Sequence, residues 1–195
     1  MRRSLKAISG TASISTAVLL AALALAGCGS ASSSSAKTSA TIPVTSSAIV
    51  GGALPARYTC DGANTTPPLK WGTVPASSRE LVVFAIGRPA EASSHGPATI
   101  EWALAGVNPA LHALAAGKIP KGGFLEEASD RKRHYSICPA KGQTRVYAFA
   151  LYAVPPRVIV THNVNGSTLF HNLAEGPPEF RAVGSGELTA SYERK

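Results

Sequence analysis

CPAKGQTRVYAFALYAV, residues 138–154, decides the fold. A turn built on Pro139, Lys141 and Gly142 feeds an apolar run. At the two-residue period of a strand, Arg145, Tyr147, Phe149, Leu151 and Ala153 share one face, and Val146, Ala148, Ala150, Tyr152 and Val154 share the other. A strand apolar on both faces belongs inside a sheet that is covered on both sides, or in the middle of a sandwich. Arg145 stands at its mouth, where a charge can meet a pocket.

Working outward, ELVVFAI (80–86) and TIEWALAGV (99–107) read as two more buried strands. Strict alternation in the second puts Glu101, Ala103, Ala105 and Val107 on one face, with Trp102 and Leu104 on the other. PVTS (43–46) is a short strand candidate, Gly51-Gly52 marks a turn, and ELTASY (187–192) is a terminal strand. Residues 54–71, with tandem prolines and an Asp-Gly, read as irregular, and residues 87–97 and 118–137 read as loops. Helical turns are expected at 109–117, stopped by Gly117, and at 167–174, with Ser167 as N-cap. Many short strands and little helix predict a mainly β fold, an antiparallel β-sandwich with small peripheral helices, over residues 42–195.

The chain has 195 residues, 45% of them hydrophobic and 15% charged, enough to bury a core. Net charge is +8, of which Arg2, Arg3 and Lys6 carry +3. The remaining basic excess is mild and suits an anionic membrane surface. With no basic stripe among aromatics and no zinc spacing, nucleic acid is not an expected partner. Residues 1–27 read as an export signal: a positive start, then an apolar run ending in Leu25-Ala26-Gly27-Cys28, which resembles a bacterial lipobox. Cys28 would then carry the lipid, palmitate included, and several acyl chains anchor where one does not. The alternatives are an uncleaved anchor or an ordinary signal peptide. Residues 28–41, rich in Ser and Ala, read as a tether from the membrane. The expected location is the bacterial cell envelope, membrane-anchored and facing outside the cytoplasm.

No nucleophile elbow, phosphate loop, dinucleotide fingerprint or zinc-protease motif occurs. His95, His112, His134, His162 and His171 are scattered, with no pair at metal-ligand spacing on one element. We therefore expect no enzyme, with a hydrolase of unrecognised site as the minority alternative, and no cofactor or metal. With Cys28 lipidated, Cys60 and Cys138 remain, and in an exported chain they are expected to form a disulfide. The alternative is two buried thiols that pack as small apolar groups.

Four blocks together resemble the bacterial phosphatidylethanolamine-binding protein family, in its Raf-kinase-inhibitor-like branch. They are PARYTCDGANTTPPLKW (55–71), Glu101-Trp102, Cys138-Pro139-x-Lys141-Gly142, and Tyr147-x-Phe149-x-Leu151-Tyr152-Ala153. The resemblance spans about residues 42–194 and implies a β-sandwich with a small anion-accepting pocket. It also implies which positions line that pocket, and here they depart from the family pattern. An aspartate loop is replaced by Ile86-Gly87-Arg88-Pro89-Ala90, and a histidine before the strand tryptophan by Glu101. A Gly-Pro pair is replaced by Ser136-Ile137, and a His-Arg-Tyr by Arg145-Val146-Tyr147.

Two family histidines have thus become charges of opposite sign. We expect Glu101 and Arg145 to pair across the pocket mouth and to weaken or abolish phosphate-headgroup binding. The alternative leaves Arg145 alone, with Arg88, to take an anion. The expected ligand-binding set is Glu101, Trp102, Arg145, Tyr147 and Arg88, for a small anionic or peptide ligand. The second functional reading is a protein-interaction or inhibitor module that contacts a protein partner through loops 88–97 and 130–137.

Overall fold

The computed structural model describes residues 39–90, 98–132 and 134–195. The signal peptide, Cys28 and the tether as far as residue 38 lie outside the described residues, as do positions 91–97 of the loop after the second strand read above.

Among the described residues, nine strands and one helix run in the order β1 (Ala40–Thr41), β2 (Val44–Thr45), a 3-10 turn (Ala56–Tyr58), β3 (Leu69–Trp71), β4 (Leu81–Pro89), β5 (Thr99–Val107), β6 (Ala113–Leu114), β7 (Phe124–Leu125), β8 (Thr144–Ala153), α1 (Gly166–Ala174) and β9 (Gly184–Glu193). A six-stranded sheet has the order β1-β9-β8-β4-β5-β7, and a three-stranded sheet the order β2-β3-β6. The fold is mainly β. It is not wholly antiparallel, because β1 pairs with β9 in parallel, Ala40 opposite Gly184. Residues 40–41, read from sequence as the end of the tether, therefore belong to the large sheet.

Strand β8 behaves as its composition dictates. Tyr147, Phe149, Leu151 and Ala153 enter one apolar cluster together with Leu69, Trp71 and Leu114 of the small sheet. Ala148 and Ala150 enter a second cluster with Leu169 and Leu173 of α1. The small residues on that second face leave room for rings: Phe84, Tyr152 and Phe170 meet edge to face at 5.7–5.9 Å.

Helix α1 starts one residue before the expected span. Its cap is Asn165, whose side chain accepts from Ser167 N at 2.9 Å and Thr168 N at 3.3 Å, so Ser167 is not the N-cap. The helical turns expected at 109–117 do not form; that stretch carries β6, which pairs with β3. Periodicity over so few residues does not separate the two outcomes.

Cys60 and Cys138 are joined in a disulfide, with their Cα atoms 5.2 Å apart. Cys60 N donates to Ile137 O at 2.9 Å, and the buried Tyr135 hydroxyl donates to Tyr58 O at 2.8 Å. The segment around the 3-10 turn is thereby pinned to the loop that enters β8.

Candidate functional site

Three adjacent strands build the site at one end of the large sheet. Gly87 of β4 lies opposite Thr99 of β5 and Tyr147 of β8. Arg145 precedes Tyr147 by two residues and so shares its face. A register shift places Glu101. Ala85 pairs with Trp102 and Ile86 with Ile100, so Glu101 is the extra residue of a β-bulge. The bulge breaks the alternation expected for β5 and re-aims the carboxylate toward β4 and β8.

Gly87 makes room for the three polar heads. A Cβ at this position would lie 2.5 Å from Glu101 Oε1, 3.0 Å from Thr99 Oγ1 and 3.2 Å from Arg145 Nη2. The Thr99 hydroxyl donates to Glu101 Oε1 at 2.8 Å and accepts from Arg145 Nη2 at 3.0 Å. The direct Glu101–Arg145 ion pair expected from sequence is thus replaced by a bridge through Thr99. Thr99 sits at the register position of Gly87, and its short side chain occupies the space between the charges. Arg145 Nε is buried without a hydrogen-bond partner, so one donor of the guanidinium is uncommitted.

Burial pushes the Glu101 carboxyl above its ordinary range; the Thr99 hydrogen bond and then the Arg145 charge oppose the shift. Asp130 and Lys132, joined at 2.9 Å, act on the same carboxylate with opposite signs. Burial likewise raises the Tyr147 hydroxyl, Glu101 adds to the shift, and Arg145 opposes it. Tyr135 is raised for the same first reason, with Tyr147 and Glu101 contributing. The two tyrosines and the carboxylate therefore form one electrostatic neighbourhood.

Of the residues expected at a ligand site, Glu101 and Arg145 come together, and Tyr147 borders them at 1% exposure. Trp102 is turned into the core and meets Tyr135 edge to face at 6.1 Å. Arg88 does not join them. It continues β4 instead of opening a loop, so alternation from Gly87 sends it to the other face, where its guanidinium lies 3.9 Å from Glu187. Thr99, Gly87 and Tyr135 were not foreseen. For Thr99 a signal existed, since a residue two before Glu101 on a strand is its neighbour. For Gly87 the only signal was a glycine that ends a run of large apolar residues.

The model of the family described as "Phosphatidylethanolamine-binding protein" matches residues 44–191. This chain belongs to the phosphatidylethanolamine-binding protein family. The "Putative lipoprotein LppC" of Mycobacterium tuberculosis is 28% identical over 145 residues, 73% of this chain and 67% of LppC. A UPF0098 protein of Chlamydia pneumoniae is 30% identical over 146 residues, 74% of this chain and 93% of its own. The crystal structure of E. coli YbcL, described as a new member of the mammalian PEBP family, superposes with a TM-score of 0.64 at 22% identity. That match covers 79% of this chain and 99% of YbcL. At such identity the likeness shows the fold alone. Proteins of the phosphatidylethanolamine-binding protein family are in general binding proteins rather than enzymes.

Proposed function

We propose that this member of the family is a membrane-anchored, extracytoplasmic binding module whose altered pocket takes a neutral carbonyl group, such as that of a peptide segment, in preference to a phosphate headgroup. The observation that carries the reading is the Glu101–Thr99–Arg145 bridge over Gly87. The bridge commits one guanidinium nitrogen and leaves Arg145 Nε buried without a partner, so a side-chain shift that opens the site exposes an unused donor. A carbonyl oxygen satisfies that donor without bringing a second negative charge to Glu101. A phosphate about 5 Å from the carboxylate is repelled by roughly 3 kcal/mol at an effective dielectric constant of about 20. That repulsion weakens binding about a hundredfold.

Titration with O-phosphorylethanolamine, followed by calorimetry, tests the reading. The wild type should show no binding at millimolar ligand, and Glu101→Gln should bind at least tenfold more tightly. Submillimolar binding by the wild type would overturn it. The anchor reading draws on the lipobox-like Leu25-Ala26-Gly27-Cys28 and on the relative named as a lipoprotein. Cys28→Ser should abolish labelling by an alkyne-tagged palmitate in the living cell, and retained labelling would refute the anchor.

A further inference from the structure

A cleft of about 430 Å³ opens beside the disulfide-pinned loops. Its volume is within the range that buries most of a small ligand's surface. None of the residues expected from the sequence to bind ligand lines it except Trp102. We propose that this cleft is a binding site for a small amphiphilic carboxylate, an aromatic or short alkyl group ending in a single negative charge. The proposal is independent of what the Glu101–Arg145 site takes.

The cleft is apolar at its base. Trp102 and Tyr135, 4% and 7% exposed, present the residual surface of an edge-to-face pair, and Leu125 of β7 lies beside them. A flat apolar group stacks or packs there at little entropic cost, because both rings are already fixed. The Tyr135 hydroxyl is held by Tyr58 O, and the bulge at Glu101 fixes the backbone on which Trp102 stands.

The rim carries a positive charge. Exposed Lys118 supplies it, exposed His134 adds an imidazole from a separate loop, and no acidic side chain is among the described lining residues. One wall is polar. Asn64 commits its side-chain oxygen to Ile137 N at 3.3 Å, which leaves its amide nitrogen as a donor. Thr65 adds a hydroxyl next to Gly117. An apolar base with donors and positive charge at the mouth selects a ligand with the opposite arrangement of charge, and a bare inorganic anion leaves the base unfilled.

The test uses the full chain in phosphatidylcholine nanodiscs, with indole-3-propionate and its uncharged amide as probes. Two-dimensional NMR should show the Trp102 indole and the Ile119 and His134 amide signals shifting on titration with the carboxylate. The amide should bind at least tenfold more weakly. In the Lys118→Glu/His134→Glu variant, whose changes are confined to exposed rim positions, the carboxylate should lose at least tenfold while the amide changes little. Inorganic phosphate at the same concentration should leave the Trp102 signal in place. Equal binding of carboxylate and amide to the wild type, or unmoved cleft signals at millimolar carboxylate, would overturn the proposal.

Discussion

Glu101 shows how one residue sets both the chemistry and the stability of the site. Its carboxylate is partly withdrawn from water, and one hydroxyl hydrogen bond does not replace full hydration. The folded chain therefore holds the Glu101 proton more tightly than the unfolded chain does. Where the native state binds more protons, stability falls as pH rises. The contribution of this group is therefore fullest below its unfolded value and is lost as pH climbs through the raised folded value. Glu101→Gln keeps the shape and removes the titration. It should melt about 2 °C above the wild type at pH 7.5, a shift that corresponds to about 0.5–1 kcal/mol in a domain of this size. At pH 4 the two melting curves should coincide. Thermal unfolding followed by circular dichroism at both values checks this, and a gap that is equal at the two values would show that Glu101 does not titrate differently on folding.

At the scale of elements, helix α1 separates what was legible from what was not. Its position follows from an apolar pattern and a run of cap-forming residues, but Asn165 and Ser167 both qualify as caps by residue type. The structure selects Asn165. Asn165→Ala should cost about 1 kcal/mol in urea denaturation, and Ser167→Ala only a few tenths. The reverse order would restore the sequence reading. The same contrast holds for the strands. β4, β5, β8 and β9 carry runs long enough for a two-residue period to declare itself. Strands β1, β6 and β7 have two residues each, and no pattern exists at that length. The bulge at Glu101 was hidden for a different reason. A one-residue shift in pairing is set by the partner strand, and only β4 shows that Ile86 meets Ile100. The close approach of Ile42 O to Gly186 is likewise invisible until the chain folds: a Cβ at Gly186 would occupy the carbonyl's place, so the glycine is what lets the segment after β1 lie against β9.

At the scale of the whole molecule, the disulfide ties stability to the compartment the sequence implies. Cys60 and Cys138 are 78 residues apart in the chain. Closing a loop of that length removes unfolded-state entropy equivalent to about 4 kcal/mol in the chain-entropy treatment. The folded state gains less from the bond itself, because the Tyr135–Tyr58 and Cys60–Ile137 hydrogen bonds already hold the same two segments together. The bridge should therefore act mainly by restricting the unfolded chain. Reduction should then lower the melting temperature by on the order of 10 °C without changing the folded structure. The Cys60→Ser/Cys138→Ser variant should melt where the reduced wild type does, and reductant should not move it. Its cleft signals in the NMR spectrum should match those of the oxidised wild type, since the hydrogen bonds around Tyr135 persist without the bridge. If those signals shift instead, the bridge shapes the folded loops directly. An exported protein keeps this bond and a cytoplasmic one does not, so a chain retained in a reducing cytoplasm should show the lower of the two melting temperatures.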